Sequence, residues 1–241
     1  GEDVLRADGR SPPSLPVSAM AGELIVIEGT DGSGKSTQFA RLCQRLEQEG
    51  VDFRKEVFPR YGQPSAALLE MYLSGQFGSH PQDVNPYAAS AFFAVDRYAS
   101  YKTGWQAYHK EGGLMLCDRY TTSNAVHQAS KLPEEQAGPF LDWLFDFEYE
   151  KLGLPRPTLV FFLDMPTEQA LELLHRRQGD QGDIHEKDPA YLAQCRRRAL
   201  AVCRRYGWRR VECAPGGRLR DPEQIHQEIW EQIWTKIHKK Q

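Results

Sequence analysis

The chain has 241 residues, 40% hydrophobic and 26% charged, an ordinary globular balance that can bury a sizeable core. Its formal net charge of −3 marks the whole protein as neither a nucleic-acid binder nor a membrane binder, so any site for an anionic ligand has to be local. Cys43, Cys117, Cys195, Cys203 and Cys213 are odd in number and form no CxxC pair, which argues against a disulfide framework or a zinc site and for a reducing cytoplasm.

The stretch from Gly1 to Ala19 is rich in Ser, Pro and charge and lacks the apolar region of a signal peptide. It reads as a disordered or non-native extension ahead of Met20, with a single domain over 20–241. Glu23 to Glu28 (ELIVIE) has the short, β-branched apolar pattern of a buried parallel strand. Glycines follow, then a helix with Phe39, Leu42, Cys43 and Leu46 on one face and Gly50 as its stop. Phe53 to Phe58 suits a second short strand halted by Pro59, and Ala66 to Leu73 a helix. Asn85 and Pro86 open a long helix carrying Phe92, Phe93, Val95 and Tyr98.

Gly113 to Cys117 is a further apolar run, ending in Asp118, and Phe140 to Leu152 is helical and aromatic-rich. Leu159 to Leu163 (LVFFL) is another buried strand, and Pro166 suits the start of the next helix. Arg176 to Asp188 is polar and reads as a mobile loop rather than core. Leu192, Cys195, Ala199, Val202 and Tyr206 mark a helix, Arg209 to Cys213 a last strand, and Ile225, Ile229, Ile233 and Ile237 a final helix flanked by Trp230 and Trp234. Apolar runs alternating with helical patterns predict a three-layer, doubly wound α/β fold: a parallel sheet of about five strands with helices on both faces.

Gly29 to Ser36 reads GTDGSGKS, a full match to the phosphate-binding pattern G-x-x-x-x-G-K-[ST]. Glycines let backbone N–H groups curl round a phosphate without Cβ clashes, and the following helix points its positive end at the anion. The loop sits between a predicted strand and a predicted helix, as the P-loop NTPase fold requires. Gly29, Thr30, Asp31, Gly32, Ser33, Gly34, Lys35, Ser36 and Thr37 are therefore the expected ATP site, with Lys35 bridging the β- and γ-phosphates and Ser36 on Mg²⁺. Asp118, at a strand end, can reach the same metal shell, and Arg119 beside it suits a second phosphate. Asp164 also ends a strand but reads as a helix-cap partner, with a metal role only second.

The P-loop alone names no acceptor. IEGTDGSGKSTQ, FPRYG (Phe58 to Gly62), FFAVDR (Phe92 to Arg97), DRYTTSNAVHQ (Asp118 to Gln128), FLDMP and GDIHEKD, in that order, resemble the thymidylate kinases over nearly the whole chain from Glu23. The resemblance implies transfer of the ATP γ-phosphate to dTMP, with Mg²⁺, and a homodimer formed through helix packing, the helix around Phe92 being a candidate face. It implies that Asp31 contacts the sugar 3′-hydroxyl and sits near the metal, and that Phe58 and Pro59 line the thymine side. Arg60 would reach the phosphates, Phe93 would stack on the base, Arg97 would bond its edge and Arg119 would grip the dTMP phosphate. Ser123 and His127 join the dTMP set, Asn124 reads the base edge, and Arg176 and Arg177 are the cations of a lid at about 176–188. Arg60, Arg119, Asp31, Lys35 and the lid arginines are thus the expected catalytic set.

The residues also state the alternatives. One of Phe92 and Phe93 is expected in the core, since neighbours on a helix point differently. Many members of the resembled family carry Tyr where this chain has His127, which either serves the sugar through a ring nitrogen or relaxes discrimination against ribose. The P-loop has no Arg at its variable positions, so neutralising cations should come from the lid. A deoxynucleoside kinase of the same fold would use Glu28 as general base, and a P-loop switch protein would turn over no small acceptor.

Overall fold

The computed structural model describes residues 22–178 and 181–239. The predicted N-terminal extension and the lid positions Gly179 and Asp180 lie outside these residues. The five strands are β1 (Glu23–Gly29), β2 (Arg54–Val57), β3 (Leu114–Asp118), β4 (Leu159–Asp164) and β5 (Arg209–Glu212). They form one sheet in the order β2-β3-β1-β4-β5, and every pairing is parallel. The three central strands are buried at every position, whereas the edge strands β2 and β5 are mostly exposed. Strands covered on both faces carry near-continuous apolar runs, which is why they stand out in the sequence.

Successive side chains alternate between two cores. Ile25, Ile27, Leu116, Phe161 and Leu163 pack on one face against α1 (Lys35–Gln48) and the C-terminal helix Pro222–His238. Leu24, Val26, Met115, Cys117 and Val160 pack on the other, against Tyr101, Trp105 and Tyr120. The next helices in chain order are α2 (Ala67–Leu73), α3 (Pro86–Ser100) and α4 (Gln106–Lys110), the last two joined by a wide π-helical turn over Tyr101–Trp105. α3 starts as its sequence predicts: Asn85 accepts a cap bond from the Ala88 N–H and Pro86 takes the first position.

Two helices differ from expectation. α5 (Thr121–His127) had no amphipathic signature, because all of it except Ser123 is buried and polar residues share that burial. α6 (Glu134–Phe145) starts before Pro139 rather than after it, with Glu134 and Glu135 favourably placed in its first turn, and continues as a wide turn through Lys151. α7 (Thr167–Gln178) and α8 (Pro189–Tyr206) complete the cover, and the C-terminal helix is α9. The segment predicted as a mobile loop is partly core. Arg176 and Arg177 lie on the last turn of α7, while Ile184 and His185 are buried and the Ile184 N–H donates to Leu73 O at 3.1 Å. The five cysteines are free and buried, and no helix among the described residues is long and apolar enough to cross a membrane.

The register brings the carboxyl ends of the strands to one edge. Val57 and Ile27 both flank Asp118, and Gly29 pairs with Leu163. Chains leaving β1, β2 and β3 therefore meet above this edge, where open α/β sheets form their binding crevice.

Candidate active site

The donor end of the crevice is the loop after β1. Gly32 (φ 82°) and Gly34 (φ 84°) adopt left-handed backbone, and α1 begins directly after Gly34. A Cβ at Gly32 would lie 2.2 Å from Ala170 O, so only glycine lets the loop press on α7. The loop, Asp118, Arg119 and Arg177 wall a cleft of about 770 Å³. Lys35 Nζ lies 2.5 Å from Asp118 Oδ1, and both side chains are largely buried. Burial first, then the Arg119 charge, lowers the Lys35 pKa against the pull of Asp118.

Arg119 stands where the two ends of the crevice meet. Its φ of 67° is the one positive value at a non-glycine residue among the described residues, and its N–H donates to Ile27 O at 3.0 Å. The guanidinium donates through Nη1 to Glu28 Oε1 at 3.1 Å and through Nη2 to Asp31 Oδ1 at 2.9 Å. Burial works against its charge, but Asp31 and then Glu28 outweigh burial, so its pKa is raised.

Beyond Arg119 lies a second cleft of about 540 Å³. Asp31, Phe58, Pro59, Phe93, Arg97, Arg119, Ser123, Asn124 and His127 line it, the whole predicted acceptor set except Arg60. The two clefts share Asp31, Phe58, Pro59, Tyr61 and Arg119, so donor and acceptor ends open onto each other. Phe93 faces the acceptor cleft and meets Tyr72 edge-on, while its neighbour Phe92 packs on Phe77. Arg97 is 2% exposed and pairs through Nε and Nη2 with both oxygens of Glu148, at 2.7 and 2.8 Å. Glu148 also accepts from Thr121 Oγ1 at 2.8 Å and Asn124 Nδ2 at 3.3 Å. One buried carboxylate thereby orients both residues expected at the base edge.

A family model described as thymidylate kinase matches residues 27–229. The chain belongs to the thymidylate kinase family. The thymidylate kinase of Mycobacterium tuberculosis strain H37Rv is 35% identical over 190 residues, covering 77% of this chain and 87% of that one. That of Synechococcus sp. strain RCC307 is 29% identical over 214 residues, covering 87% and 94%. The solved structure of the thymidylate kinase from Candida albicans shares the fold with a TM-score of 0.67 at 24% identity, over 90% of this chain and 92% of that one.

This thymidylate kinase family member departs from the expected site in several places. Arg60 lines neither cleft. Its Nε and backbone N–H bind Asp96 at 3.0 and 2.9 Å, and Nη2 donates to Ser65 at 3.0 Å. The two arginines expected in a lid separate: Arg177 lines the donor cleft, whereas Arg176 pairs with Glu172 at 2.5 Å on an exposed helix face. The Asp164 carboxylate pairs with Arg196 at 2.7 Å and Arg210 at 2.7 Å and lies outside the donor cleft. Trp230 is buried in the core beside α1, while Trp234 is 36% exposed.

Sequence reasoning missed Tyr61, Leu73, Gln128, Asp183, His185 and Glu186 in the acceptor wall. The last three come from the GDIHEKD stretch, which the sequence marked as polar and as part of the family resemblance without assigning its residues to the acceptor. His185 stacks on His127 at 5.1 Å and shares a 2.7 Å hydrogen bond with Tyr72 Oη. His127 Nε2 is buried with no hydrogen-bond partner among the described residues. Burial first, then Arg119, pushes the His127 pKa down to about 3, so the ring is neutral at physiological pH. Asp31, Asp183 and Glu186 offer carboxylate oxygens within 4.8 Å of one another. Burial and then the Asp31 charge raise Asp183 to about 6 and Glu186 to about 7.

Proposed function

We propose that this protein transfers the γ-phosphate of ATP to dTMP, giving ADP and dTDP, with the P-loop as donor site and the Phe93 cleft as acceptor site. The observation that carries the reading is the shared wall of the two clefts at Asp31 and Arg119. A donor phosphate on the loop and an acceptor phosphate at Arg119 would face each other there. The nucleophile is a phosphate oxygen, largely deprotonated at neutral pH, so no general base is needed. The protein's task is alignment and charge neutralisation. Lys35 holds the β- and γ-phosphates, Arg119 the acceptor phosphate and Arg177 the donor side. Phe93 offers a flat face to the base, and the guanidinium edge of Arg97 not taken by Glu148 offers it a donor.

Asp31 and Ser36 within the loop and Asp118 beside it are oxygen donors, a set that suits a hard divalent cation such as Mg²⁺. When bound, that ion would neutralise charge on the phosphoryl group. His127, with its unpaired Nε2 in the acceptor wall, is suited to a sugar hydroxyl.

The nucleoside-kinase reading needs a free base. Glu28 lines neither cleft and already accepts from Gly29 N, Arg119, Thr122 and Ser123. This favours a monophosphate acceptor. A homodimer is supported by Tyr87, Val95 and Tyr98 on α3 and Leu68 on α2, large apolar side chains 39–45% exposed. A cytoplasmic setting is supported by the free cysteines.

The test is ADP release from Mg²⁺-ATP with dTMP, dUMP, ribothymidine monophosphate, dCMP, dGMP and thymidine in turn. Turnover is expected with dTMP and not with thymidine. Turnover with thymidine alone would restore the nucleoside-kinase reading, and turnover with none would leave a nucleotide switch.

A further inference from the structure

Glu28 is an ionisable side chain buried to 1% exposure at the end of β1, directly beneath the cleft. A carboxylate so buried is tolerated only when its oxygens are satisfied. Oε1 accepts from the Gly29 N–H at 3.1 Å and from Arg119 Nη1 at 3.1 Å. Oε2 accepts from Thr122 Oγ1 at 2.7 Å and Ser123 Oγ at 2.8 Å. The Ser123 hydroxyl in turn accepts from Arg119 Nη1 at 3.3 Å. The P-loop and the first turn of α5 thus clamp the carboxylate, and the carboxylate clamps one edge of the arginine.

The other edge is held differently. Asp31 takes Arg119 Nη2 at 2.9 Å, its side chain is 18% exposed, and it stands in the wall of both clefts. Glu28 stands in neither. Arg119 also has a left-handed backbone, a state that persists only where the surroundings over-determine it. Its guanidinium is therefore aimed by its partners, one buried and one facing the clefts.

We propose that Glu28 is a positioning residue for phosphoryl transfer: it anchors Arg119 from below, while Asp31 occupies the opposite edge of the guanidinium until the acceptor phosphate takes that place. The inference rests on the dTMP-kinase reading of the same cleft. A hydrogen bond between ionised groups is roughly twice as strong as a neutral one. With Gln at position 28 the only carboxylate left on Arg119 is that of Asp31, so the arginine follows Asp31 and is no longer held at one point. Small misplacement of a charge-neutralising group costs rate more than ground-state binding.

The experiment compares the unaltered chain with Glu28→Gln and Glu28→Asp, reading dTMP turnover, the melting temperature, and the dissociation constants of thymidine and ADP. Thymidine lacks the phosphate that Arg119 meets. Glu28→Gln is expected to lower kcat about ten- to a hundredfold while thymidine and ADP bind within about twofold of the unaltered chain. Glu28→Asp, which keeps the charge but shortens the reach, is expected to fall between the two. It carries the test alone, as a drop in kcat with binding preserved, if Glu28→Gln does not fold. An unchanged kcat, or a parallel loss of thymidine binding, overturns the inference. No dTMP turnover in the unaltered chain sinks the functional reading, and the inference with it.

Discussion

The two ends of the cleft are built in opposite ways. The donor end is one contiguous run, Gly29 to Thr37, whose left-handed glycines and following helix are local features. The acceptor end is assembled from the loops after β1, β2 and β3, from α2, α3 and α5, and from the stretch before α8. Phosphate is bound by backbone N–H groups, so its site can be written in neighbouring residues. A base and a sugar are recognised by side chains converging from several elements, and only the crossovers of the sheet bring those together. Most departures from the sequence reading accordingly fall at the acceptor end, Arg176 at the donor end excepted.

The largest expected effect tests the donor end. Lys35→Ala should lower kcat about a thousandfold, with dTMP binding little changed. Steady-state turnover together with titration of dTMP checks this, and near-normal turnover would break the division of labour between the ends. At the acceptor end, Phe93→Ala should raise the KM for dTMP about ten- to a hundredfold and leave that for ATP nearly unchanged, as expected for loss of one base–aromatic stack. An equal rise for both substrates would mean that Phe93 is only packing.

A smaller effect separates two adjacent residues. Arg177→Ala should slow turnover about tenfold, since Arg177 walls the donor cleft, whereas Arg176→Ala should change it less than about twofold, since its partner is an exposed Glu172. The reverse order would mean that Arg176 rather than Arg177 serves the donor cleft.

The smallest effect concerns stability and pH. Glu186 is raised from 4.5 to about 7 in the folded chain, so the folded state binds the extra proton and stability falls as pH rises from about 4.5 through about 7. Glu186→Gln should melt with the unaltered chain at pH 4.5 and above it at pH 8. His127 has the opposite sign: lowered from 6.5 to about 3, it contributes stability that is lost as pH falls through that interval. His127→Phe should therefore flatten the acid limb. Melting curves across pH 3 to 8 read both slopes, and parallel curves for either variant would remove its residue from this account.

Legibility followed burial pattern. The central strands were readable because burial on both faces demands continuous apolar runs, and α3 because Asn85 and Pro86 announce its start. α5 was not readable, since a helix buried nearly all round with Thr122 and Asn124 facing polar partners carries no stripe. The GDIHEKD stretch misled for a related reason: its polarity resembled a loop, while Ile184 and His185 pack against Leu73 and Tyr72. Arg60 had the right chemistry for phosphate, yet Asp96 takes it, a pairing between residues far apart in the chain.

By itself, then, the sequence determined the layered fold, the P-loop and the family, because apolar periodicity and a contiguous phosphate loop are short-range properties of the chain. The tertiary structure alone decided that Glu28 is saturated rather than free, that Arg177 and not Arg176 reaches the cleft, and that Asp183, His185 and Glu186 close the acceptor wall. Those outcomes depend on which distant groups share a desolvated space, where each charge takes its value from the neighbours that burial imposes on it.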